Sequence, residues 1–212
     1  MILAIDSSIG SAVAIVDPAT DVVLAEASSE SARGHAEVIG ALIESALEQA
    51  AVTPADITAV AAGIGPGPFT GLRIGIASAR GFAVGRGIPV VPVASHDAAA
   101  WEILERDPDA AFVVSTDARR RENAVSAYAG LAEGIPARAA GPDLLPHTED
   151  PLAHFAGRWR SAEHVHTARI SAGALGRIAH RVLSLGDVPA LEPLYLRAPD
   201  AKVPGAVKRV ST

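Results

Sequence analysis

Along the first half of the chain, short β-rich runs trade places with longer stripes at helical spacing. Ile2 to Asp6, Ser11 to Val16 and Val22 to Ser28 are β-rich, and the DPATD that joins the last two carries the Pro and Asp of a turn. Together they predict a three-stranded meander. From about His35 to Ala51, the residues Val38, Ile39, Leu42, Ile43, Ala46 and Leu47 recur as one amphipathic stripe, which VTPADI ends. Ile57 to Ala62 is a short unbroken apolar run, as expected of a strand covered on both faces. A glycine-rich loop follows, then a helix from about Gly71 to Arg86, a strand in IPVVPVA and a helix from Ser95 to Glu105. The order is an antiparallel meander feeding right-handed βαβ crossovers.

Beyond the linker ERDPDAA the pattern starts again. AFVVSTD (111–117) ends in a carboxylate after an apolar strand, as ILAIDSS does, and AVSAYAG (124–130) supplies a hairpin partner across ARRRE. The reading is a duplicated mixed sheet, with a first lobe over 1–107 and a smaller, degraded second lobe over 108–201. In that copy EGIPARAAGPDLLPHTEDP shows little periodicity, and only Ser171 to Gly186 reads as a strong helix. Residues 202–212 read as a tail.

Composition narrows the class. The 212 residues are 49% hydrophobic and 20% charged, enough for one large core or two small lobes. Apolar runs stay well short of the ~20 residues of a membrane span, and Met1 to Asp6 lacks the basic start of a secretory signal, so the chain reads as cytoplasmic. Cysteine is absent, which excludes disulfides and thiolate chemistry. A formal net charge of -6 argues against autonomous nucleic-acid binding.

The loop GIGPGPFTG (63–71) resembles a phosphate-binding loop and fails both tests for one. No Gly-Lys-Ser/Thr follows Gly65 at Walker spacing, and the dinucleotide pattern that Gly65 and Gly67 begin meets Thr70 where a third glycine belongs. What remains is a strand-to-helix loop stiffened by Pro66 and Pro68, with Thr70 as the expected N-cap. Down the next helix Gly71, Gly75, Ser78, Phe82 and Gly85 share one face. Interior glycines cost about 1 kcal/mol each against alanine, so something approaches that face closely, either the core or a partner.

Taken together, ILAIDSS, GHAE, GIGPGPFTGLRIGIASARGFA, STDARRRENAVSAYAG and PLYLRAPDA resemble the TsaB (YeaZ) family from end to end. The resemblance implies an α/β, two-lobed ASKHA fold (actin-like, sugar-kinase-like, RNase H-like). It also implies a non-catalytic partner of the TsaD transferase, which makes N6-threonylcarbamoyladenosine (t6A) in tRNAs that read codons beginning with A. A homodimer when alone, a TsaE-like ATPase in the full assembly, tRNA contact only through the complex and no cofactor belong to the same expectation. The implied partner-binding residues lie on the helices at 35–50 and 71–86: His35, Val38, Ile39, Leu42, Ile43, Ala46, Gly71, Ile74, Gly75, Ser78 and Phe82. TsaD-like relatives carry a His-x-x-x-His pair just after the strand matching IPVVPVA, and two imidazoles one helical turn apart can chelate a metal. Here His96 is followed four residues later by Ala100.

Other candidates are weighed against plainer roles. Asp6, with Ser7 and Ser8, sits where ASKHA kinases place a carboxylate, and is a candidate residual site for ATP or ADP; its plainer role is to satisfy backbone groups at a strand end. Arg119, Arg120 and Arg121 form the one dense basic run, a tRNA contact or a solvated turn. His164 and His166 share a strand face and read as surface histidines rather than metal ligands. The rival function is a small ATP-dependent phosphotransferase using Asp6 and Asp117, and a weaker third is a metallopeptidase, against which the missing second histidine counts.

Overall fold

The computed structural model describes residues 1–29, 35–157, 159 and 162–197. The side chain of His35, residues 30–34 and the tail from Lys202 lie outside the described residues.

The first lobe is a five-stranded sheet in the order β3-β2-β1-β4-β5, formed by β1 (Ile2–Asp6), β2 (Ser11–Asp17), β3 (Val22–Ser29), β4 (Ala59–Gly63) and β5 (Val90–Val93). The meander pairs antiparallel, and β1, β4 and β5 run parallel, as the sequence order predicts. Period-two alternation sorts the central strands between two cores. Leu3, Ile5, Val13, Ile15, Val60 and Ala62 face α1 (His35–Gln49) and α2 (Phe69–Arg86). Ile2, Ala4, Ala14, Val16, Ala59 and Ala61 face the other way, into a layer of helices shared with the second sheet.

That second sheet has the order β8-β7-β6-β9: β6 (Ala111–Asp117), β7 (Glu122–Ala132), β8 (Ile135–Pro146) and β9 (Glu163–His166). The duplication read from the sequence is visible in the topology. β6 pairs antiparallel with β7 and parallel with β9, as β1 does with β2 and β4. β8 is a twelve-residue strand where little periodicity was expected. Its small and polar residues are only partly covered, and register shifts along the β7–β8 pair break any strict alternation. α4 (Pro151–Phe155) closes the outer face over Val113, Val125 and Leu145.

Between the sheets lie α3 (Ser95–Leu104) and α5 (Ala172–Leu185). Trp101 and Leu104 of α3 pack with Leu175 and Ile178 of α5, and with Phe112, Val114 and Tyr128 of the second sheet. The α5 helix follows β9 in the chain yet covers the first sheet, so a division at 107/108 assigns to the second lobe a helix that packs against the first. Its N-terminus is tied to β3: the Glu26 carboxylate accepts from the Ala172 and Gly173 amides (2.8 and 3.3 Å) and from Ser171 Oγ (3.2 Å). On the far side Arg177 and Arg181 converge on Asp21 and stack on Trp101, with guanidinium carbons 5.4 and 4.3 Å from the indole centroid. Hydrogen bonds from Arg181 and then Arg177 hold the Asp21 carboxyl well below the usual carboxylate range.

α2 begins at Phe69 with Pro68 as its N-cap and no side-chain cap, so Thr70 is already inside the helix rather than capping it. Pro68 is suited to that place because its fixed φ leads into the helix. The glycine face turns inward at its start: Ser7 Oγ donates to Gly71 O at 2.8 Å, and a Cβ at Gly75 would lie 2.1 Å from Ser7 Oγ.

Two predictions follow from this packing. Gly75→Leu is expected to destabilise the isolated chain by about 3 kcal/mol. Gly81→Ala, whose added Cβ meets nothing within 4 Å, is expected to stabilise it by roughly 0.5–1 kcal/mol; urea denaturation of both variants checks the pair. The second concerns acid. Burial, with a smaller contribution from Arg138, pushes the His96 imidazole down to about 3 from its ordinary 6.5, and Asp21 lies below its ordinary 3.8. In both cases the unfolded chain takes the proton first, so stability falls as pH falls: from about 6.5 downward for His96 and only below 3.8 for Asp21. Melting temperature should drop as pH falls below about 6.5, and Asp21→Asn should reduce, not abolish, the further drop below 3.8, to which Asp17 and Asp56, also held below 3.8, contribute.

Candidate functional site

The loop after β4 and the start of α2 press against the β1–β2 turn, and this contact decides what Asp6 can do. Asp6 is 2% exposed. Its Oδ1 accepts from the Ser8 amide (2.8 Å) and Ser8 Oγ (2.6 Å), and its Oδ2 accepts from Ser95 Oγ at the head of α3. A Cβ at Gly63 would fall 2.0 Å from Asp6 Oδ2, so only glycine lets β4 pass this close. Ser95 also binds the loop, donating its amide to Gly65 O (2.7 Å) and accepting from the Gly65 amide (3.1 Å). The candidate nucleotide residues Asp6, Ser7 and Ser8 are all buried and act together as a clasp that fixes the glycine loop and α3 to the sheet.

The same inward turn redraws the expected docking face. Ile39, Ala46, Gly71 and Gly75 are buried in the chain's own core, and burial removes them from any partner surface. Val38, Leu42, Ile43, Ile74, Ser78 and Phe82 remain half-buried along the α1–α2 ridge, and Val84 beside them is 82% exposed.

His96 stands at the join of the lobes, fully buried. Its Nδ1 is 2.8 Å from Ser126 Oγ and its Nε2 2.9 Å from Thr116 Oγ1, so both ring nitrogens are engaged by hydroxyls. Beside it Tyr128 Oη donates to Asp97 Oδ1 at 2.7 Å, and Arg138 Nε lies 3.5 Å from the same oxygen. Burial pushes both Asp97 and Tyr128 upward. Apart from His96, this polar seam between the lobes carries no signal in the sequence, because its members come from α3, β6, β7 and β8 at irregular separations.

Thr116 opens onto a cleft of about 700 Å³ between the lobes. Among the described residues, Arg73, Arg119, Arg120 and Arg197 line it with a single carboxylate, Asp117. Phe69 and Tyr195 form one wall, ring centroids 4.8 Å apart, with the Arg73 guanidinium 3.7 Å over Phe69 and its Nε donating to Tyr195 Oη at 2.8 Å. The basic run lies at the rim, and Arg119, Arg120 and Arg121 all have left-handed backbones (φ 65°, 58° and 62°). Arg197 holds this turn, donating to Ala118 O (2.9 Å) and Arg119 O (3.3 Å) and pairing with Glu122. Phe69, Arg73, Tyr195 and Arg197 were not candidates on sequence grounds; nothing local marks residues that meet only when the terminal segment crosses the first lobe.

His164 and His166 do share a face of β9, where His164 Nε2 and His166 Nδ1 lie 2.8 and 3.0 Å from Ser115 Oγ. Burial and the neighbouring His166 lower the pKa of His164. Among the described residues no group of three His, Asp or Glu is arranged to hold a metal, and no helix is long and apolar enough to cross a membrane.

With this geometry in hand, comparison with known proteins gives the lineage. The family model described as TsaD, tRNA N6-adenosine threonylcarbamoyltransferase, matches residues 23–147. An uncharacterized protein of Mycobacterium tuberculosis is 40% identical over 212 residues, covering 95% of this chain and 93% of its own. A tRNA N6-adenosine threonylcarbamoyltransferase of Streptococcus suis is 46% identical over 87 residues, 39% of this chain and 26% of its own. Among solved structures, YeaZ from Pseudomonas aeruginosa superposes with a TM-score of 0.73 at 23% identity, over 92% of this chain and 99% of that one. The fold is thus the two-lobed ASKHA fold that the resemblance implied. The chain belongs to the TsaD, tRNA N6-adenosine threonylcarbamoyltransferase, family and carries the fold of YeaZ.

Proposed function

We propose that the chain is a TsaB-like accessory subunit of t6A synthesis, which binds a TsaD-like transferase and does no chemistry itself. The observation that carries this reading is His96. In a chain of the transferase family, the one imidazole at the expected chelating position is buried, held neutral, and bonded through both nitrogens to Ser126 and Thr116, with alanine at position 100. A metal ligand needs a lone pair turned toward an open site.

The partner surface in this reading is the α1–α2 ridge, where Val38, Leu42, Ile43, Ile74, Ser78 and Phe82 keep part of their surface outside the core. Two chains of this kind joined through the same ridge give a homodimer, which the transferase replaces. Activation follows only if the ridge contacts the transferase's active conformation better than its inactive one. A TsaE-like ATPase and tRNA join at the level of the assembly, since this chain carries a net charge of -6.

Reconstitution tests the reading. Given tRNA, an activated threonylcarbamoyl donor and the TsaE-like ATPase, the TsaD-like paralogue with this chain should form t6A, and this chain in place of the paralogue should form none; turnover by the isolated chain would end the proposal. For the ridge, Val38→Arg and Ser78→Arg should each weaken the complex by at least about tenfold, or roughly 1.4 kcal/mol, at unchanged melting temperature. Undiminished affinity in both variants places the interface elsewhere.

A further inference from the structure

We infer that His164 and His166 of β9, with the Ser115 hydroxyl beneath them, form a binding site for one divalent transition-metal ion of the zinc and copper(II) class. Their spacing of two on a strand puts both imidazoles on one face. The structure adds where they point. His164 Nε2 and His166 Nδ1 lie 2.8 and 3.0 Å from the same atom, Ser115 Oγ. Two ring nitrogens from one strand thus converge on one place, and the serine that marks it is fully buried while both histidines are exposed.

Exposure makes that convergence informative. An exposed imidazole satisfies its nitrogens with water, so neither ring depends on the serine for a partner. A hydroxyl carries one proton, so Ser115 can serve both rings only by donating to one nitrogen and accepting from the other, which must then bear its hydrogen. A cation makes no such division. It takes the lone pair of each facing nitrogen at about 2.0–2.1 Å, a distance that small rotations of the two rings about their χ angles supply.

The frame that carries the pair is well fixed. β9 pairs with β6 in parallel register, Val113 opposite His164 and Ser115 opposite His166, and Thr167 N bonds Ser115 O at 2.9 Å just past the pair. Ligands on a paired strand keep their separation better than ligands on a loop.

The donor set decides the class of ion. Neutral imidazole suits zinc and copper(II), whereas magnesium and calcium take oxygen donors. Among the described residues no third His, Asp or Glu joins the pair, so Ser115 Oγ and water complete the coordination. Such a site is open and exchangeable rather than a closed structural centre. It is also separate from His96, whose ring nitrogens are both engaged inside the seam.

Calorimetric titration of the untagged full chain with zinc and copper(II) chlorides, and with magnesium chloride as control, tests the site. Both transition metals should bind, copper(II) more tightly than zinc, and magnesium should give no heat. Once one imidazole has bound the ion, the other acts at a high effective concentration, so His164→Ala and His166→Ala should each weaken zinc binding by about a hundredfold. His154→Ala, which removes the neighbouring His154–Asp143 pair, should leave zinc affinity unchanged. In metal-free buffer the two pair variants should melt with the parent chain, and zinc should raise the melting temperature of the parent but of neither variant. Absence of binding by both copper(II) and zinc at ~100 μM overturns the inference. So does undiminished zinc affinity in both pair variants, which places the ion elsewhere on the chain.

Discussion

The seating of α2 on the end of β1 is the contact on which the rest of the molecule depends. Ser7 donates to the Gly71 carbonyl, and the helix lies so close at Gly75 that a single added carbon would collide with the same serine. That approach fixes the rotation of α2 about its own axis. Once Gly71 and Gly75 face the sheet, Leu72, Ile76, Ala79 and Ala83 follow them into the core, and Ile74, Ser78, Phe82 and Val84 are left along the outer ridge with α1. The glycines thus shape the outer ridge, the docking surface of the proposed reading, without being part of it.

One consequence reaches the far lobe. The loop that leads into α2 is locked to Ser95 at the head of α3, and the Asp6 carboxylate bonds both to Ser95 and to its own turn. Helix α3 then carries His96 and Asp97 into the seam with the second sheet, where Ser126, Thr116 and Tyr128 receive them. A chain of short hydrogen bonds therefore runs from the first strand to the second lobe, with each carboxylate and imidazole satisfied along the way. A group buried this fully is worth most when all its partners are present and costs most when one is lost.

How much of this was legible in the sequence depended on the range of the interaction involved. Period-two runs and helical stripes are local signals, and they placed β1 to β5, α1 to α3 and α5 within a few residues. The second lobe was readable wherever it kept a strand ending in Asp, as in AFVVSTD. β8 was not, because Pro136, Arg138, Gly141 and Pro142 interrupt its pattern and the strand is held by its long pairing with β7 rather than by burial of one face. Glycine spacing in α2 announced a close approach correctly but could not say to what, since a sheet and a partner helix ask the same thing of a small side chain. The cleft was the least legible part. Its arginine turn is local, but its aromatic wall joins Phe69 to Tyr195 across 126 positions of chain, the difference between their numbers.

The two lobes also show what a duplication is free to lose. Both keep the meander and one parallel strand, but the second sheet ends at β9, and α5 packs chiefly on the first sheet from the layer between the two. That packing is secured at both ends, by Glu26 at the N-terminus of α5 and by Asp21 with Arg177 and Arg181 farther along. It brings the segment after α5 back over the first lobe, where Leu194 N bonds Ile64 O at 2.8 Å and Tyr195 reaches Phe69. The path of α5 is thus what delivers Tyr195 and Arg197 to the cleft.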